Sequence, residues 1–380
     1  MDFEFSEEQK MWRKMLQDFV EKEAGREYAR QCDIEGRYPQ RLWEKGVEQG
    51  FLGLMIPQEY GGMGADAIHF AIFCECLSKY SYEMASIFTV PMFCAMNVVH
   101  HGTPEQKKRY LPLFIEGKQR FSISITEPDA GVDAASVSTF AELKGDHFLV
   151  NGAKQFSTGA HLPNNIMVMA TRTDRNVPKQ KGITALLVPN NLPGVECKVL
   201  PLIVRRAVGT CAVFLQDVKV PRENLLGKIN GGWEIMTGHL DLERMANAAA
   251  NVGEGQAALD DAVSHAKTRV QFGQPIGKFQ EIGHRLGELW AELEAARWLT
   301  YRLAWRVSKG MPSRAEASQA KLLASETFYR ITTMGMQVFG GYCFLPESDI
   351  ERHWRISKLM VIGGGTSEIQ RMILSRSLGM

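Results

Sequence analysis

HFLVNG (147–152), NIMVMATRT (165–173), GITALLVP (182–189) and CAVFLQDVKVP (211–221) are the runs whose reading decides the fold. Each is short, rich in Val, Ile, Phe or Thr, and bounded by turn residues. No long helical pattern separates them, so they predict an antiparallel sheet or barrel between residues 121 and 226. On the N-terminal side the pattern is helical. Ser6 with Gln9 three residues on forms a capping box, and Met11, Met15, Leu16 and Phe19 recur at helical spacing. Residues 66–100 read as one or two buried helices, and Pro104 opens another at its first turn. On the C-terminal side, windows 233–268, 279–309, 313–339 and 366–378 carry amphipathic spacing. They are broken at Gly273 to Gly277, Gly310 to Pro312 and Gly340 to Pro346. The expected organisation is α, then β, then α: a helical domain over 1–120, a β domain over 121–228 and a helical domain over 229–380.

Composition agrees with a multidomain globular chain. It has 380 residues, 45% hydrophobic and 23% charged, which is enough to bury a sizeable core. The 44 basic and 43 acidic residues leave a net charge of +1, so no global field draws nucleic acid. Seven cysteines are too few and too odd in number for a disulfide scaffold. Cys74 and Cys76 lack the further ligands a structural zinc wants. The N-terminal MDFEFSEEQK has neither the basic nor the apolar region of a signal peptide. The longest apolar stretch, Ile87 to Val99, is interrupted by Thr89, Pro91 and Asn97, short of a membrane span. A soluble cytoplasmic protein is expected.

Gly253-Glu254-Gly255-Gln256-Ala257-Ala258 matches G-x-G-x-x-A, but it lies within a helical run rather than after a strand. It reads as close helix packing, not a dinucleotide site. The adjacent His100 and His101 read as surface or helix-end histidines. Three other segments combine turn glycines with polar groups suited to a ligand. These are ITEPDAGVD (125–133), RVQFGQPIGKFQ (269–280) and IGGGTSEIQR (362–371).

Together with NGAKQFSTGA (151–160), QDVKVPRENLLG (216–227), LDLERMANAA (240–249) and MQVFGG (336–341), these segments resemble the acyl-CoA dehydrogenase flavoprotein family over essentially the full length. The resemblance implies an α+β fold with an N-terminal α domain, a central antiparallel β-barrel domain and a C-terminal four-helix bundle. It implies FAD, an acyl-CoA substrate, a homotetramer, and electron-transferring flavoprotein as redox partner. No nucleic acid and no membrane insertion are expected. For FAD it points to Thr126 at the flavin pyrimidine edge, Gly131 and Val132 at the pyrophosphate turn, and Phe156 and Thr158 beside the flavin. Val132 stands where the family usually has serine, and Phe156 where it has tryptophan. Arg269, Phe272, Gln280, Gln337 and Gly341 match residues that reach the FAD of a neighbouring subunit, and Thr366 and Glu368 match the final flavin-contacting pair.

The family removes the proton α to a thioester carbonyl while the β-hydrogen leaves as hydride to flavin N5. Such chemistry needs a carboxylate at the α-carbon and donors at the enolate-like oxygen. The family's usual glutamate precedes Gly-Thr-Ser; here that position is Gly364. Isovaleryl-CoA and long-chain relatives instead carry the base on an earlier helix, in a motif matching Leu240-Asp241-Leu242-Glu243-Arg244. The resemblance therefore assigns the base to Glu243, with a raised pKa, and CoA contact to Arg244. It leaves the Gly364 N–H as donor to the thioester oxygen. Gly363 replaces a tyrosine, which widens the expected pocket toward a branched, cyclic or functionalised acyl group. The segments 362–368 and 32–39 also resemble crotonobetainyl-CoA reductase, so enoyl reduction is an alternative direction. A desulfinase-like lyase is a further alternative, against which the intact Glu243 argues.

Overall fold

The computed structural model describes residues 4–380, with His239 described by its backbone alone. Its elements in chain order are α1 (Glu7–Glu23), α2 (Arg26–Glu35), α3 (Gln40–Glu48), α4 (Ala67–Leu77), α5 (Tyr82–His101) and α6 (Pro104–Ile115), then strands β1 (Arg120–Ser124), β2 (Phe140–Lys144), β3 (His147–Thr158), β4 (Asn165–Arg172), β5 (Ile183–Pro189), β6 (Val195–Val199), β7 (Thr210–Pro221) and β8 (Leu225–Leu226). There follow α7 (Gly232–Thr268), a small hairpin of β9 (Val270–Gln271) and β10 (Gln274–Pro275), α8 (Gln280–Ser308), α9 (Arg314–Phe339), α10 (Ile350–Met360) and α11 (Ser367–Ser377). The chain divides into two compact units. One holds residues up to 37, 66–86 and 243–380; the other holds 38–65 and 87–242.

In the second unit one sheet runs in the order β6-β7-β3-β2-β4-β5-β8, with β1 beside β4. Phe148, Val150, Met167, Met169, Leu186, Val188, Val213 and Val220 fill its core. β4 is buried along its whole length because it has neighbours on both edges and packing on both faces. The expectation of antiparallel pairing needs one correction. β1 runs parallel to β4, and Phe140 pairs with Arg172 in parallel. Parallel neighbours need a long return, which residues 125–164 provide around the β2–β3 hairpin. The path also ends on two different strands, β6 and β8, so its hydrogen-bonded order is open. β3 and β7 are both long, and their register slips twice, between Val150 and Gly152 and between Lys154 and Ser157. At the second slip Phe156 takes φ +59° and turns its ring outward.

In the first unit α9 is central, with α8, α10 and α11 packed on it, while α4 packs on α1 and α8. The Ser6–Gln9 capping box opens α1, and Thr103 with Gln106 forms another before α6 in the second unit. α7 passes α4 so closely that a Cβ on Gly253 would meet the Glu75 carbonyl oxygen at 2.0 Å. The glycines there serve helix packing, as read from the sequence. α10 was not expected. Its buried face holds Arg352, His353 and Ser357 among Ile350, Ile356 and Met360, so its apolar periodicity is masked. Arg352 Nη1 donates to Asp349 at 2.7 Å and His353 Nδ1 lies 2.7 Å from Glu254, while Arg352 Nε and His353 Nε2 have no hydrogen-bond partner among the described residues. α5 is by length and composition apolar enough to cross a membrane, more so than the 87–99 stretch alone, and most of it is buried inside the fold.

Candidate active site

Three glycines separate α10 from α11. Gly364 has φ +67° and Gly365 φ +91°, a backbone that L side chains rarely adopt. Thr366 then caps α11, its hydroxyl accepting from the Ile369 N–H. Both carbonyls of the turn are held. Gln370 Nε2 donates to Gly364 O at 3.3 Å and to Gly365 O at 2.9 Å, Lys321 Nζ donates to Gly365 O at 2.8 Å, and Arg244 Nε reaches Gly364 O at a long 3.5 Å. The two sequence-predicted residues of α7 meet here. Glu243 Oε1 lies 3.5 Å from the point a Cβ on Gly364 would occupy. Arg244, adjacent on the helix, folds its long buried side chain back onto the same turn.

Asn247 stands one helical turn beyond Glu243 on the same face of α7. Its Nδ2 is 2.8 Å from that same Cβ point, and its Oδ1 accepts from the Tyr82 hydroxyl at 3.0 Å. A side chain at 364 would therefore collide with a pinned amide. Lys321, on α9, is fully buried. Burial lowers its pKa to about 8, Arg244 pushes the same way, and Glu243, Glu326 and Glu368 pull against them. Asn247, Lys321, Gln370 and Tyr82 were not singled out from the sequence. Two of them carry a readable signal: Asn247 by its spacing of four from Glu243, and Lys321 as a lone cation at helical spacing among the buried Ala317, Ala320 and Ala324.

The second unit carries Thr126, Gly131, Val132, Phe156 and Thr158. The Thr126 carbonyl accepts from the Gln155 N–H at 2.8 Å, and the Thr158 hydroxyl lies 3.1 Å from that of Thr210. The intervening turn is pinned by Glu127. Its carboxylate accepts from Ser138 N at 2.6 Å, Ser138 Oγ at 2.8 Å, Thr139 N at 2.9 Å and Lys154 Nζ at 2.7 Å. Glu127 and Lys154 are both buried. Burial pushes the Glu127 pKa up, but the ammonium and the other donors outweigh it and bring it to about 2. Val132 and Phe156 are exposed, and a Cβ on Gly131 would meet nothing within 4 Å.

Back in the first unit, Arg269, Phe272 and Gln280 flank the β9–β10 hairpin. Its two-residue tip, Phe272-Gly273, has φ +50° and +80°, the twist a tight hairpin needs. Phe272 is 96% exposed, on a backbone that disfavours a bulky residue. The Arg269 guanidinium lies over the Tyr342 ring at 5.8 Å, which brings the hairpin base next to the end of α9 with Gln337 and Gly341. Glu368 sits in the first turn of α11. The helix-terminal N–H and the Thr366 hydroxyl hold its carboxyl below the usual range.

Comparison with known proteins agrees along the whole chain. Family models for the acyl-CoA dehydrogenase N-terminal, middle and C-terminal domains match residues 6–118, 122–218 and 230–379. The probable acyl-CoA dehydrogenase YngJ of Bacillus subtilis is 37% identical over 380 residues, covering 100% of both chains. The caffeyl-CoA reductase–Etf complex subunit CarC of Acetobacterium woodii is 36% identical, covering 98% of this chain and 99% of its own. The structure of butyryl-CoA dehydrogenase from Megasphaera elsdenii, 34% identical and covering 100% of both chains, superimposes with a TM-score of 0.94. This chain belongs to the acyl-CoA dehydrogenase family of oxidoreductases.

The family's cofactor is FAD, and the residues present fit it. Outward-facing aromatic rings at Phe156 and Phe272, each on a positive-φ backbone, suit flat heterocycles. Open main chain at Gly131, Gly340 and Gly341 suits close approach of a pyrophosphate or sugar.

Proposed function

We propose that this chain is an FAD-dependent acyl-CoA dehydrogenase in which Glu243 takes the proton from the α-carbon of the thioester. The observation that carries this reading is the Glu243 carboxyl lying 3.5 Å from the point where a side chain on Gly364 would begin. In most of the family, by the resemblance above, the base starts from that point. Bound FAD supplies the two-electron acceptor for the β-hydrogen. The chain's own residues do the rest. Glu243 Oε1 receives the α-proton, and the Gly364 N–H, aimed by the fastened turn, donates to the thioester oxygen as charge develops there. One such donor contributes about 3–4 kcal/mol to the transition state. Arg244, Gln370 and Lys321 hold the carbonyls of that turn, which keeps the donor from swinging.

Enoyl reduction is the second reading. The relatedness to a caffeyl-CoA reductase subunit favours it, and the same proton site serves both directions. The Etf named in that relative's complex supports electron-transferring flavoprotein as the redox partner here. Homotetramer assembly follows the family pattern, with the exposed Phe272 hairpin as one of the surfaces it would cover. All seven cysteines are free, which supports the cytoplasm as its compartment.

Glu243→Gln tests the assignment. The variant should bind FAD and CoA esters normally yet lose more than ~100-fold in single-turnover flavin reduction. Reduction at the parental rate would refute it. Anaerobic bleaching by short, branched and cyclic acyl-CoAs then identifies the acyl group.

A further inference from the structure

The proposed chemistry leaves the charge of one fully buried cation unexplained. Lys321 projects from α9, closed off from water, with its ammonium on the Gly365 carbonyl at 2.8 Å. That hydrogen bond alone does not explain a lysine. Gln370 Nε2 already donates to the same carbonyl at 2.9 Å and to that of Gly364. A buried ammonium is expensive, and an apolar side chain of similar length would fill the space at lower cost. What lysine adds is charge. The groups facing it are Glu243 and Arg244 on α7, Glu326 on its own helix and Glu368 on α11. Of these acids, Glu243 acts on it most strongly.

We propose that Lys321 is a positioning residue for proton abstraction: its ammonium, anchored on the Gly365 carbonyl, holds the glycine turn and supplies the positive charge that keeps Glu243 ionised. An opposite charge at close range favours the carboxylate over the acid. The half-buried base then stays deprotonated while the turn that carries the oxygen-binding N–H stays fixed. The inference rests on Glu243 being the base.

It also sets the pH behaviour. Activity should rise as Glu243 ionises, and with the ammonium in place that rise comes at lower pH than it would without it. Arg244 stays near the turn whatever happens at 321, so loss of the lysine charge should move that rise upward in pH rather than abolish activity.

The test is the pH profile of α-deuterium washout from 3-thiabutyryl-CoA by the holoenzyme, a probe with no β-hydrogen to transfer. Lys321→Arg keeps the charge, so it should retain the acid limb and the neutral rate within about threefold. Lys321→Met should move the acid limb up by at least about one pH unit, slow exchange about tenfold on that limb, and recover toward the parental rate at alkaline pH. Profiles of both variants superimposable on the parent would overturn the proposal. So would equal impairment of both, which marks a purely steric role. If Lys321→Met does not fold, Lys321→Gln, which keeps a donor without the charge, takes its place: an unmoved acid limb sinks the idea. Glu243→Gln is run beside them. If it still exchanges, the base assignment has failed and the role of Lys321 falls with it; if it does not, unmoved Lys321 profiles count against Lys321 alone.

Discussion

Glu127→Gln gives the sharpest test of how the turn proposed to face the cofactor is held. The carboxylate is 4% exposed and makes four hydrogen bonds, one of them to the fully buried Lys154. Its pKa falls from 4.5 to about 2. At roughly 1.4 kcal/mol per pKa unit this is on the order of 3 kcal/mol of native-state stabilisation. The figure agrees with the ~3–5 kcal/mol typical of breaking a buried pair and stranding one charge. The sign follows from the depressed pKa. The stabilisation is fully present above pH 4.5 and is lost as pH falls through about 2. Urea titration of the holoenzyme, read by FAD release, should show Glu127→Gln weaker by about 3 kcal/mol at pH 7 and by less than about half of that at pH 3. Adding Lys154→Met to the Gln variant should recover part of the loss, since the stranded ammonium goes. A loss under about 1 kcal/mol at pH 7, or one that does not shrink on acidification, would refute the reasoning.

Arg244→Ala should raise the Kd for CoA esters about 10- to 100-fold, the worth of a charge-assisted hydrogen bond, with FAD content unchanged; selective FAD loss would contradict a substrate role. Gly364→Ala places a Cβ at φ +67° and 2.8 Å from Asn247 Nδ2, so urea unfolding should show a loss of about 1–2 kcal/mol, together with slower flavin reduction. Asn247→Ala in the same chain should restore part of that stability. Asp349 is fully buried, and its carboxyl accepts from Arg26, Arg30 and Arg352. Burial raises its pKa, but the three guanidiniums hold it well below the usual range. Asp349→Asn should therefore lose about 3–5 kcal/mol near neutral pH, measured by urea midpoint, with the deficit narrowing only in strong acid.

Local chemistry was legible where the signal lies within one turn of chain. The Ser6–Gln9 box, the proline opening α6 and the windows that became α7, α8, α9 and α11 fall where spacing and capping put them. α10 was not legible, because its inward face is polar and two of its partners, the Tyr80 carbonyl and Glu254, lie far off in the chain. The same reason hid Glu127 and Lys154. Both stand inside quoted motifs, but 27 residues apart, and only the fold of β3 brings them together. The parallel pairing of β1 with β4 was missed because strand spacing reports that strands exist, not which edges meet. Around Glu243 the side chains of α7 could be placed by helical period. The partners arriving from α9 and α11 could not, since no periodicity links different helices.

The proton acceptor proposed here hangs from the middle of a long helix rather than from the connection between α10 and α11. That connection then contributes only main-chain groups to the reaction. The positions Val361, Ile362 and Gly363 are then released from chemical duty. Such an arrangement gives selection, or an engineer, residues that can be exchanged without touching the engine.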